Sequence, residues 1–298
     1  MLRRSLLAIA AGLILLAGLE GSASPAPPAG FLDDYRWHIS DPRFGGWSGI
    51  RLSPDGTSLT ALSDHGAFIK GRISRDANGR ITGISAGKVQ QLKGLTDAPL
   101  GAGRTDSEGL EIGPDGSAYI SFEGVARVLK YRHLDGIAEN LPTHPDFAKM
   151  QVNSSLEALA MDSKGALYTV PERSGGLGRS FPVYRFRAGK WDQTLTIRRD
   201  GGYLPVDADF GPDGRFYLLE RQFRGLAGFS TRLRRFDLTG KGFVNETLLL
   251  QTPVGLYDNL EGLSVWRNAS GVLTATMISD DNFMFFQKTG IVEYHLAD

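Results

Sequence analysis

Five acids close five look-alike segments of this chain: Asp64, Glu123, Glu172, Glu220 and Asp280. Each follows a hydrophobic strand, a turn built on Pro-Asp-Gly or a relative of it, and a second strand. The segments are WSGIRLSPDGTSLTALSD (47–64), SEGLEIGPDGSAYISFE (107–123), SLEALAMDSKGALYTVPE (155–172), PVDADFGPDGRFYLLE (205–220) and NLEGLSVWRNASGVLTATMISD (259–280). Three more acids, Glu108, Glu157 and Glu261, open the first strands, while Ser48 and Val206 hold the corresponding places in the other copies. In an antiparallel pair the start of one strand lies beside the finish of the next, so both sets arrive at one end of the unit. Carboxylates crowded there would repel and resist ionising unless a cation or polar ligand sat between them. So many hard oxygen donors suit Ca²⁺ first, with Mg²⁺ or Mn²⁺ as alternatives. The five histidines show no zinc-binding spacing, and the chain has no cysteine.

Cations are interleaved with these acids. Glu172-Arg173 and Glu220-Arg221 read as one acid–arginine pair repeated, Arg104 precedes Asp106, and His65 follows Asp64. An arginine fork matches carboxylate or phosphate. On a phosphate ester, Arg173 and Arg221 would stabilise the developing charge and His65 would protonate the leaving alkoxide. The same features also read as blander things: solvated strand ends, acids accepting N–H groups between repeats, ordinary ion pairs and a loop histidine. Asp55, Asp115 and Asp213 in the Pro-Asp-Gly turns are turn formers.

The elements that must position these groups are short strands. Ala118–Phe122, Leu167–Val170 and Phe216–Leu219 are β-branched and aromatic, third strands follow at Arg127–Tyr131, Val183–Phe186 and Leu233–Phe236, and only Pro145–Met150 invites a short helix. The first-strand positions Ser48, Glu108, Glu157, Val206 and Glu261 are separated by 60, 49, 49 and 55 residues. A repeat of ~40–50 residues carrying four strands is the blade of a β-propeller. An all-β single propeller follows, with the two termini sharing one blade. Five blades are favoured, and a sixth hidden at Ile73–Leu95 in the 60-residue interval is the alternative.

Several motifs resemble those of the phytase-like propeller family, also described as having the esterase-like activity of phytase. Asp106-Ser107-Glu108-Gly109-Leu110, Asn153–Leu159 and Asp258–Leu263 are similar to its D-x-E-G-L and N-x-E-G-L signatures, and Ser279-Asp280-Asp281-Asn282-Phe283 to its S-D-D-N-F motif. Ala61–Gly66 resembles its A-L-S-D-R-G element, with His65 where arginine is common. The resemblance covers roughly residues 40–298. It implies an exported propeller that hydrolyses phosphoesters; Arg104, Asp106, Asn259, Asp281 and Asn282 are the candidate substrate contacts. Two rival functions stay open: a non-catalytic binding propeller stabilised by Ca²⁺, and a calcium-dependent lactonase-like hydrolase.

Residues 1–24 read as a Sec or Tat signal peptide, with Arg3-Arg4, an apolar run over Leu6–Leu19 and small residues before a cleavage point. That run falls short of the ~20 residues of a membrane-spanning helix, so no stable membrane anchor is expected. Residues 25–30 are a linker and 31–298 the propeller, which places a monomer acting on a small molecule in the periplasm or outside the cell. Lys and Arg total 33 and so do Asp and Glu, with no basic tract, which argues against a nucleic-acid partner. No phosphate-cradling loop or dinucleotide fingerprint occurs.

Overall fold

The computed structural model describes residues 25–297; the export signal read at the N-terminus lies outside them. Alternating apolar strands broken by Pro-Asp-Gly turns give four sheets of four antiparallel strands and one of five. Blade 1 comprises Trp47–Leu52, Ser58–Ser63, Ala67–Arg75 and Ile81–Ala86. Blade 2 comprises Ser107–Ile112, Ala118–Phe122, Arg127–Tyr131 and Ala138–Asn140, and blade 3 Leu156–Met161, Leu167–Pro171, Phe181–Arg187 and Lys190–Ile197. Blade 4 comprises Leu204–Phe210, Phe216–Phe223, Phe229–Thr239 and Gly242–Gln251. Blade 5 holds Asn259–Arg267, Leu273–Asp280 and Gly290–His295, and its outermost strand is Phe31–Arg36 from the other end of the chain. The shared closing blade is therefore present.

Each first strand packs against the first strand of the next blade, and that of blade 5 against that of blade 1. The ring has five members. The 60-residue interval holds no sixth blade: Ile81–Ala86 is the outer strand of blade 1, and Gln90–Gln91 pairs beside it on Ala67–Arg75. The expected short helix is a single turn, Phe147–Lys149. Apolar side chains of neighbouring sheets fill the spaces between blades, for example Tyr217, Leu219 and Leu233 of blade 4 against Leu263, Met277 and Val292 of blade 5.

Arg51 stands at the centre of the ring. From blade 1 its guanidinium donates to the carbonyls of Ile50 (2.8 Å), Leu159 (2.8 Å), Ala208 (2.7 Å) and Leu263, and to Asp207 Oδ2 (3.0 Å). Its Nε lies 3.5 Å from Glu111 Oε2. One side chain thus touches all five blades. Glu111 also accepts from the Met161 amide (3.1 Å) and Asp209 from the Val265 amide (2.7 Å), tying blade 2 to blade 3 and blade 4 to blade 5. Burial disfavours charge on Arg51, yet Asp207, Glu111 and Asp209 raise its pKa. Burial in turn raises Glu111 to about 8 and Asp207 to about 6, although Arg51 opposes both. The channel is plugged by an ionic cluster that no sequence motif announced.

Candidate metal site at the channel mouth

The first strand of every blade carries a β-bulge near its start. In four blades the register skips one residue: Ser48, Glu157, Val206 or Glu261. In blade 2 the irregularity falls between Ser107 and Leu110, around Glu108. A bulge turns one extra side chain out of the pleat, here at the end of the channel. The glycine that follows in three copies serves packing. A Cβ on Gly109 would sit 2.6 Å from the Glu157 carbonyl oxygen, and one on Gly262 2.8 Å from Gly49 and Ile50 backbone atoms. The E-G-L motif therefore pairs an acid aimed at the mouth with a glycine that lets neighbouring inner strands approach.

Opposite the bulges, the second strands finish. Asp280 pairs with Asn259, while the amides of Asp64, Glu123 and Glu172 donate to the carbonyls of Gly46, Asp106 and Ser155. At this register blade 4 presents Arg221, which pairs with Leu204. The expectation for Glu220 is corrected here. Glu123 and Glu172 lie seven residues beyond their turn glycines, and in blade 4 the seventh residue is Arg221. Because strand side chains alternate between faces, a slip of one reverses the destination. Phe216 and Leu218 pack towards blade 3, and Glu220 follows them, fully buried between Arg232 (2.6 Å) and Arg234 (2.7 Å). It takes no part in the mouth, and the two Glu-Arg pairs are one residue out of phase.

The mouth then holds Asp64 from blade 1, Glu108 and Glu123 with Asp106 from blade 2, Glu157 and Glu172 from blade 3, and Glu261 and Asp280 from blade 5. Carboxylate oxygens of Asp106, Glu108 and Glu123 all fall within 4.8 Å of one another. Burial, then repulsion from Glu261, Glu123, Asp106 and Asp64, holds Glu108 well above the usual carboxylate range. Glu157 is also raised well above that range, by burial and by Glu108, Glu123 and Glu172. Asp64 is pushed up to about 6 and Asp280 to about 8, in both cases mainly by burial. Glu123 also accepts the Ser155 amide at 2.8 Å, so the blade-stitching reading holds for that acid as well.

Arg221 is the guanidinium set among these acids. It bonds Glu261 and Asn259 Oδ1 (2.6 Å) and lies 3.8 Å from Glu172. Asn259 in turn donates to Glu261 at 2.8 Å. Arg173 stands on the rim, half exposed, with Nε on Ser154 Oγ (2.8 Å) and on Glu172 (3.2 Å). His65 Nε2 lies 3.9 Å from Asp64 Oδ1, and its ring stacks on Phe283 at 4.6 Å. Asp106 joins the carboxylate cluster. Asp281 is engaged in the fold, accepting from the Gly46 and Phe283 amides and Thr289 Oγ1 (3.0, 3.1 and 3.0 Å). Asn282 is exposed, in a left-handed conformation (φ 46°), its amide on Asp280. Arg104 is exposed, and its carbonyl accepts from Arg127 (2.7 Å).

The profile of the phytase-like family, described as esterase-like activity of phytase, matches residues 42–283. The chain belongs to the phytase-like family. Hydrolysis is the class of chemistry that this membership carries. No curated protein matches the sequence. Among solved structures, this phytase-like propeller is similar to the catalytic domain of an α-L-arabinofuranosidase from Coprinopsis cinerea (TM-score 0.53, 14% identity, 90% of this chain and 98% of that one). It is also similar to the calcium-binding protein regucalcin from Agrobacterium tumefaciens (TM-score 0.48, 10% identity, 84% and 90% covered). A gluconolactonase from Xanthomonas campestris is a third (TM-score 0.45, 11% identity, 84% and 72% covered). At such identities the likeness is one of fold alone.

Proposed function

We propose that this phytase-like propeller is an exported hydrolase of small-molecule phosphate esters that works with a divalent cation at the channel mouth. One observation carries the reading: eight carboxylates from four blades converge there with Arg221 as the cation among them, and burial holds most of them above their usual pKa. A site so short of positive charge fits a hard divalent ion, and its all-oxygen donors favour Ca²⁺, Mg²⁺ or Mn²⁺ over zinc. Asp106, Glu108 and Glu123 would hold it, with Asp64, Glu157 and Asp280 alongside. When bound, such an ion supplies Lewis acidity towards a phosphoryl oxygen and acidifies a coordinated water.

The chain's own residues do the rest. Arg221, fixed by Glu261 and Asn259, keeps the blade 4 side of the mouth positive and orients Glu261. Arg173 on the rim offers its fork to a phosphate oxygen. His65, held between Asp64 and the Phe283 ring, delivers a proton to the leaving alkoxide. The test is a screen of phosphate esters and lactones against Ca²⁺, Mg²⁺ and Mn²⁺. Phosphate release that chelation abolishes, and that Glu108→Gln lowers at least about a hundredfold, is the expected result. Lactone hydrolysis without phosphate release, or no turnover with any metal, would replace this reading by one of its two rivals.

A further inference from the structure

The loops that join second to third strands leave from the same ring of residues as the mouth. Beyond the ring they comprise residues 65–66, 124–126, 173–180, 224–228 and 281–289. Among the described residues, fifteen large apolar side chains are exposed, and seven of them stand on these loops. Leu226 is fully exposed, Phe285 is 98% exposed, and Leu177 and Phe286 are 69% and 60% exposed. Four consecutive apolar residues, Phe283 to Phe286, form the tip of the blade 5 loop. Soluble proteins rarely leave such clusters open to water without a use for them.

Charge on these loops is mainly positive, four cations to one acid. Arg173, Arg179, Arg224 and Lys288 are all exposed, and the single acid, Asp281, is tied down by Gly46, Phe283 and Thr289. The carboxylates of the mouth sit below this rim, Glu123, Glu157, Glu172 and Asp280 buried and Asp64, Asp106, Glu108 and Glu261 partly so. Each long apolar tip therefore has a cation within three residues: Leu177 has Arg179, Leu226 has Arg224, Phe285 and Phe286 have Lys288. The tips rise from different blades around a recessed polar opening, so they form no continuous groove for a helix or strand. A second copy facing this rim would set like charges against each other. A fluid surface with apolar depth and anionic headgroups matches both features, because tips can enter it separately while the cations stay at phosphate level.

We infer that the mouth face docks on an anionic lipid surface, with Leu177, Leu226, Phe285 and Phe286 entering the acyl layer and Arg179, Arg224 and Lys288 pairing with headgroup phosphates. Docking would set the mouth against whatever the surface presents, and it does not depend on what reaction the mouth performs. The test is cosedimentation of the purified propeller with phosphatidylcholine vesicles, with and without phosphatidylglycerol, in a chelating buffer. Binding is expected with phosphatidylglycerol, weakening as salt rises. Phe285→Ser/Phe286→Ser and, separately, Leu226→Ser should each weaken it by about tenfold with unchanged circular dichroism and melting. Arg224→Gln/Lys288→Gln should flatten the dependence on phosphatidylglycerol. Absence of binding at low salt, or variants that bind like the parent, would overturn the inference. So would a dimer, seen by sedimentation equilibrium, that Phe285→Ser/Phe286→Ser dissolves, since the tips would then cover a second copy.

Discussion

Neighbouring residues 220 and 221 carry opposite duties. Glu220 is fully buried between Arg232 and Arg234, which also reach Asp200 (3.1 Å) and Glu246 (3.0 Å), so Glu220→Gln removes their shared buried partner and leaves each guanidinium one acid. Loss of these charge-assisted bonds costs about 1.5–3 kcal/mol, and chemical denaturation should read it with the mouth's cation affinity unaltered. Arg221 works the other way. Arg221→Met removes a positive charge from beside the carboxylates of the mouth, and calorimetric titration should show Ca²⁺ binding about tenfold more tightly. Equal effects of the two substitutions on ion affinity would mean that the alternation placing them on opposite faces is wrong.

At the scale of elements, the bulge and its glycine act together. The inner strands of blades 2 and 3 come so close that a Cβ on Gly109 would lie 2.6 Å from the Glu157 carbonyl oxygen and 2.7 Å from the Leu159 Cβ. Gly109→Ala must push the strands apart, and a loss of about 1–3 kcal/mol is expected. Gly83, on the outer strand of blade 1, has nothing within 4 Å of its virtual Cβ. Gly83→Ala should change stability by no more than about 0.5 kcal/mol. Thermal melts of the pair compare the two sites directly, and equal losses would count against the close-packing role.

For the whole molecule, the channel stacks two clusters of buried acid, the mouth above and the Arg51 plug below. Their folded pKa values are raised, to about 6 for Asp64 and Asp207 and about 8 for Asp280 and Glu111. Groups shifted upward contribute stability that is fully present below the unfolded carboxyl pKa near ~4 and is lost as pH rises through the folded values. Melting in a chelator should therefore fall between pH 5 and pH 8. Added Ca²⁺ should recover the share that belongs to the mouth and leave the share of the plug. A chelated protein whose melting temperature rises over that window would contradict the burial of these acids as carboxylic acids. The plug has its own test: Arg51→Met strands Asp207 and Asp209 without their cation in the middle of the ring, and a loss of at least about 3–5 kcal/mol is expected on denaturation.

The five turns and the spacing between them determined the all-β class and the closing blade, because a turn glycine and a strand alternation are local properties that neighbours seldom override. The strand-end acids and the anchors that open the first strands located seven of the eight acids at the mouth, since each is fixed by its distance from a turn within its own blade. What only the tertiary structure decided were matters of register between strands and blades. A slip of one residue sent Glu220 inward and brought Arg221 to the mouth. Arg51 looked like any charge within I-R-L until the ring placed carbonyls of four blades around it. Such placements depend on partners distant in the chain, and the chemistry of a charge buried among them is set by those partners rather than by its own identity.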